Sequence, residues 1–208
     1  GLIEKYRVNR NDLPKMKMAV VGRDRPGTGT ADECGIVVVG RGWDGEDYVL
    51  GDYSARMVGR EAARKAWEAF IEHDCTYLIC EDNFGKGWLK QVMVDAFVEM
   101  RDKEERFPPG MHPPLKMITV IHGKKLRAQP VGMRYEQGRL HLAANNLYEL
   151  EDQMCSWIPE EMPDSPDRID ALVHAQAFVR SREKGMAVMG GIGSGNTPTS
   201  LPVGNPFG

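Results

Sequence analysis

Apolar residues along this chain fall into short unbroken runs separated by Gly, Pro and charge. The runs are Met18 to Val21, Ile36 to Val39, Tyr48 to Leu50, Thr76 to Cys80 and Leu115 to Val120. Such runs, bounded by turn residues, predict strands covered on both faces. Asp44-Gly45 is a hairpin turn pair, so the second and third strands should pair antiparallel. Between the third and fifth runs the period changes. Ala63, Ala66, Trp67, Phe70 and Ile71 recur at i, i+3, i+4, i+7 and i+8, and Leu89, Val92, Met93, Ala96, Phe97 and Met100 form a second stripe. Both predict amphipathic helices. The proline-rich stretch FPPGMHPP that follows cannot be helix.

The second half is less regular. Pro130 is suited to open a short helix and Gly138 to close it. Arg139 to Leu142 reads as a small strand, and Leu147 to Cys155 as a short helix with an acidic face. Ser165 and Pro166 fit the N-cap and first position of a last helix running to about Ser181. Its buried side would carry Ile169, Leu172, Val173 and Ala177. Strands alternating with helices after an opening hairpin predict an α/β domain with a mixed sheet. Residues 1–15 read as a linker, 16–184 as the domain, and 185–208, rich in Gly, Pro, Ser, Thr and Asn, as a disordered tail.

Composition narrows the picture. A chain of 208 residues fits one domain. A net charge of −3 excludes a grossly basic nucleic-acid binder but allows a basic groove around an acidic centre. Cys34, Cys75, Cys80 and Cys155 make no CxxC pair and no zinc spacing, and read as reduced thiols. No apolar run is long enough to cross a membrane. GTGT at Gly27 and GSGNT at Gly193 lack the lysine of a phosphate-binding P-loop.

Carboxylates stand at the mouths of three elements: Asp24, Glu81 with Asp82, and Asp167 with Asp170. Each has an ordinary structural use, as a turn residue, a loop acid or a partner for a helix dipole. Right-handed crossovers, however, bring the strand ends at Asp24 and Glu81 to one sheet edge. Asp167 and Asp170, at i and i+3, share a face at the start of the last helix. Gathered carboxylates repel one another unless a cation sits among them. Oxygen donors suit Mg²⁺ or Mn²⁺, and two such ions about 3.5–4 Å apart clamp the two oxygens of a phosphodiester displacement. The basic stretch from His122 to Arg139 could hold the flanking backbone.

The order of these acids resembles the ribonuclease H-like nucleases. The words VVGRDRPGTGTADECGIVVVG, ICEDNFGKGWL, GKKLRAQPVGMRYEQGRLHL, LEDQMCSW and SPDRIDALVHA are similar to the C-terminal nuclease domain of the large terminase subunit of tailed bacteriophages and prophages. The likeness spans about Met16 to Arg180. It implies a ribonuclease H-like α/β fold, with a mixed five-stranded sheet, one strand antiparallel, and helices on both faces. It implies an endonuclease that cuts concatemeric double-stranded viral DNA with two Mg²⁺ or Mn²⁺ ions. Asp24, Glu81 and Asp170 match the catalytic metal ligands, and Asp167 matches a further ligand of some relatives. Arg25, Lys86, Lys124, Lys125 and Arg127 would hold the DNA backbone.

The likeness also implies an N-terminal ATPase domain, a portal protein and a small terminase subunit as partners. The setting would be the host cytoplasm, at the procapsid portal, with no membrane. The chain departs from the family at Arg23, which would join Arg25 in flanking Asp24 for DNA phosphate. It departs again at Phe84-Gly85, and at His174, where relatives often have Trp and to which no role carries over. Other ribonuclease H-like readings are a Holliday junction resolvase, a transposase core, or a non-catalytic domain that docks DNA or the portal.

Overall fold

The computed structural model describes residues 2–24, 33–81, 87–119, 124–145, 147–158 and 166–190; the side chains of 2–3, 124–127 and 183–190 are not among those described. The strands are β1 (Met16–Arg23), β2 (Ile36–Gly42), β3 (Asp47–Asp52), β4 (Tyr77–Glu81), β5 (Leu115–Ile118) and β6 (Leu140–Leu142). The helices are α1 (Leu2–Lys5), α2 (Gly59–Glu72), α3 (Trp88–Asp102), α4 (Lys124–Glu136), α5 (Tyr148–Ser156) and α6 (Asp167–Gly190). The sheet order is β5-β4-β1-β2-β3-β6. Among the described residues only β2 runs against its neighbours; β1 with β4, β4 with β5 and β3 with β6 are parallel.

The single antiparallel strand is as expected from the hairpin, but the sheet has six strands rather than five. The sixth is the Arg139 to Leu142 stretch, which extends the sheet beyond β3. Two further differences concern helix ends. Pro130 lies inside α4, whose first residue is Lys124, so it does not open the helix. Lacking an N–H, it leaves the carbonyl one turn earlier without its helical donor. Helix α6 continues to Gly190, past the Ser181 at which its apolar pattern fades. The segment before β1, read as a linker, lies against the domain. Val8 N–H donates to the Leu142 carbonyl at 2.9 Å, and Arg7 pairs with Glu151 at 2.8 Å. The Ser165 cap and the segment 191–208 fall outside the described residues.

Strand alternation divides the core into two layers. Ala19, Val21, Ile36, Val38, Leu78 and Cys80 meet α2 and α3, where Trp67 packs among Phe70, Phe97 and Phe107. The Trp67 indole N–H donates to the Met93 carbonyl at 2.9 Å, so the ring is buried with its polar atom satisfied. Val20, Val37, Val39, Val49, Leu140 and Leu142 meet α4, α5 and α6 on the other face.

Helix α6 lies unusually close to the sheet because one position in β1 and the one just before β2 carry no side chain. A Cβ at Gly22 would stand 2.1 Å from the Ala171 carbonyl oxygen and 2.9 Å from the Ala175 Cβ. One at Gly35 would stand 2.0 Å from the Asp167 carbonyl oxygen. The obstacles are helix backbone, which cannot swing aside. Gly22→Ala should therefore push α6 off β1 and lower Tm by about 2–12 °C, the range for overpacking in a domain of this size. An unchanged melting curve would contradict this contact.

Candidate metal centre

Asp24 follows β1 on the face already defined by Val20 and Gly22, the face that α6 covers. Its backbone is fixed from both sides. The Asp24 N–H donates to the Gly35 carbonyl at 2.9 Å, and the Cys34 thiol donates to the Asp24 carbonyl at 3.2 Å. Glu81 ends β4. Since Arg23 pairs with Cys80 in the parallel register, Asp24 and Glu81 are the next residues along neighbouring strands. This is how two acids 57 positions apart (81 − 24) come together.

Helix α6 brings His174 to them. Its Nε2 is 2.7 Å from Glu81 Oε2 and 3.7 Å from Asp24 Oδ1. One donor atom from each of Asp24, Glu81 and His174 lies within 4.8 Å of the other two. Asp24 and His174 are buried and Glu81 is nearly so. Burial pulls the His174 pKa down, but the Asp24 and Glu81 carboxylates outweigh it and push it up to about 9. The imidazolium proton thus supplies the positive charge that two neighbouring carboxylates require.

The three groups fit a divalent ion. Donors at 2.0–2.2 Å from one ion lie at most about 4.4 Å apart, so small side-chain movements suffice. The set is not the oxygen-only group expected from sequence, because it includes an imidazole nitrogen. His174 is the candidate ligand that sequence reasoning passed over. Its signal was its i+4 spacing from Asp170, which sets both on one helix face.

Asp170 is buried one turn before His174, and it has a further contact of its own. It does not belong to the close group of three. Asp167, part-exposed, occupies the first turn of α6. Between them Arg168 is buried and anchors the helix start. It donates to Glu33 at 3.0 Å through two nitrogens and to Asp52 at 2.6 Å.

Arg23 does not flank Asp24 on the open side. Alternation turns it to the opposite face, where it is 2% exposed beside Cys34 and Cys80. Its burial removes it from the groups that could meet DNA phosphate. Burial also pushes the Cys80 thiol up to about 12, as expected for an inert reduced cysteine. Arg25, Asp82, Phe84, Gly85 and Lys86 lie outside the described residues, as do the side chains of Lys124, Lys125 and Arg127. Among the described residues no helix is long and apolar enough to cross a membrane.

No protein-family model and no curated protein matches the chain. Solved structures do. The human cytomegalovirus terminase nuclease domain aligns with a TM-score of 0.57 at 13% identity, over 85% of this chain and 91% of that one. The same domain soaked with Mn and bound to an inhibitor aligns at 0.56 and 11%, over the same shares. The nuclease domain of the large terminase subunit gp2 of bacterial virus Sf6 aligns at 0.52 and 12%, over 79% of this chain and 90% of that one. At these identities the likeness establishes the fold: the chain has the ribonuclease H-like fold of the terminase nuclease domains.

The raised His174 pKa has a consequence for stability without metal. A folded pKa above the ordinary value contributes stability that is complete below about pH 6.5 and is lost as pH rises through about 9. In EDTA, the melting temperature should therefore fall between these values in the native chain. The fall should be smaller in His174→Gln. Equal slopes in the two proteins would refute the ion pair.

Proposed function

We propose that this domain is a metal-dependent endonuclease that hydrolyses phosphodiester bonds of double-stranded DNA, cutting concatemeric viral DNA during genome packaging. One observation carries this reading. Asp24, Glu81 and His174 converge at the ends of adjacent parallel strands, in a fold shared with two terminase nuclease domains.

A bound divalent ion would supply Lewis acidity at the scissile phosphate and a more acidic water. Asp24 and Glu81 would hold it as carboxylates, and His174 as neutral imidazole. His174 must first give up the proton that it holds between them, so affinity for the ion rises with pH. An imidazole among the donors favours Mn²⁺ over Mg²⁺. Asp170, with Asp167 at the rim, is our assignment for the residues that would hold a second divalent ion. The low exposure of Asp24 and His174 keeps bulk water from competing for these donors.

Arg25, Lys86, Lys124, Lys125 and Arg127 are the proposed contacts to the DNA backbone. Phosphate contacts carry no base information, so cleavage should be nearly indifferent to sequence and steeply salt-dependent. In this reading the longer protein carries an ATPase domain and meets the portal and small terminase subunit at the procapsid, in the host cytoplasm.

Plasmid digestion with Mn²⁺, Mg²⁺ or EDTA tests the proposal. Asp24→Ala and Glu81→Ala should lose at least about a hundredfold in rate with an intact fold, more than the loss of an outer partner costs. His174→Ala should lose at least about tenfold and need more Mn²⁺. Asp170→Ala should lose metal-dependent cleavage as well. Wild-type nicking by Asp24→Ala or Glu81→Ala, or cleavage that persists in EDTA, would overturn the assignment.

A further inference from the structure

A cavity of about 370 Å³ opens at the opposite end of β1 from Asp24. It lies between the start of β1, the end of β2 and the later turns of α6, and Lys17, Trp43, Thr76, Val179 and Arg182 help line it. Lys17 precedes Asp24 by seven residues of extended chain, so the two sites are about 23 Å apart.

Its chemistry is unlike the acidic centre. Trp43 is 66% exposed, a large aromatic face left in water, while its backbone N–H donates to the Lys15 carbonyl at 3.2 Å and fixes its position. The Lys17 ammonium stands 5.5 Å from the Trp43 ring centroid. The Arg182 guanidinium lies 5.4 Å from the Tyr77 ring and 5.2 Å from the Phe178 ring. Lys116 covers Tyr77 as well, at 5.4 Å. Among the described residues, Lys17 and Arg182 form no ion pair, whereas the third cation, Arg41, is paired with Asp47 at 2.6 Å. The acid on the rim, Asp44, is engaged by the Tyr48 hydroxyl at 2.6 Å and the Glu46 N–H at 3.0 Å. What the cavity offers is one stacking face and two cations that, among the described residues, meet aromatic rings but no carboxylate, in a volume usual for small-molecule sites.

We propose that this cavity is a second binding site that takes a single nucleotide unit, its base stacked on Trp43 and its phosphate held by Lys17 and Arg182. A flat aromatic face beside a cation is the recurring means of holding an unpaired base and its phosphate. The unit could come from a DNA single strand or from a free nucleotide, which share this chemistry. The proposal does not depend on the nuclease reading, since none of its residues touches the metal centre.

The test is a titration of the 208-residue chain in EDTA with dAMP and, separately, with a short single-stranded oligonucleotide, read by tryptophan emission. Quenching is expected with at least one of them. Quenching by the oligonucleotide alone assigns the site to a DNA strand, and quenching by both assigns it to a nucleotide from either source. Trp43→Phe should abolish the quenching. Trp43→Ala should weaken binding, followed by calorimetry, at least about fivefold, as should Lys17→Ala with Arg182→Ala. All three positions are solvent-facing, and circular dichroism should show an unchanged fold. Quenching that survives in Trp43→Phe, or no quenching by either ligand, would overturn the proposal. So would equal binding of inorganic phosphate, which has no ring to stack.

Discussion

The contact on which the site depends is backbone against backbone, where α6 rests on β1 and β2 over Gly22 and Gly35. Helices normally stand off a sheet by the thickness of interlocking side chains. Here the missing Cβ atoms let the helix axis drop, and the inner face of α6 reaches the strand ends. Its His174 then reaches Asp24 and Glu81 at the ends of β1 and β4. Arg168 holds that approach by joining the first turn to Glu33 and Asp52.

Bringing charges together in a dry place creates an electrostatic debt that the protein settles locally. Asp47, fully buried, is met by Arg41 and Arg134 and accepts from Gln176 at 3.0 Å. Asp52 is met by Arg168. Asp24 and Glu81 are met by a protonatable imidazole, that of His174. The difference matters chemically. A guanidinium keeps its charge at any physiological pH, whereas an imidazolium can give way to another cation. The two structural carboxylates are locked, and the two at the strand ends are left exchangeable.

Much of this was visible in the sequence. Unbroken apolar runs marked β1, β2 and β4, and two stripes marked α2 and α3, because strands and helices with one partner on each side write their period plainly. The meeting of Asp24 and Glu81 followed from crossover handedness. The register of β1 on β4 supplied the detail that they are next along paired strands. What stayed hidden had no local signature. The small strand at Arg139 to Leu142 was legible, but its place as a sixth strand beside β3 was not, because that pairing joins segments far apart in sequence. The role of His174 was hidden for a related reason. Helix α6 is packed by the sheet on one side and by α4 and α5 on others, so its polar residues are buried too. A rule that sends polar residues to the solvent side therefore misreads it. Arg23 was misread in the reverse sense: its charge suggested the surface, and strand alternation sent it inward.

The chain leaves the sheet at Asp24 and comes back at Glu33, Cys34 and Gly35, and these two ends are bonded directly to each other. The Asp24–Gly35 and Cys34–Asp24 hydrogen bonds close the span, and Arg168 fastens Glu33. Asp24 and residues 33–35 are thus anchored through each other, independently of the sequence that joins them. Closure entropy grows by only about 0.6 kcal/mol for each doubling of a joining length. A change in that length therefore leaves the anchorage of the Asp24 carboxylate untouched.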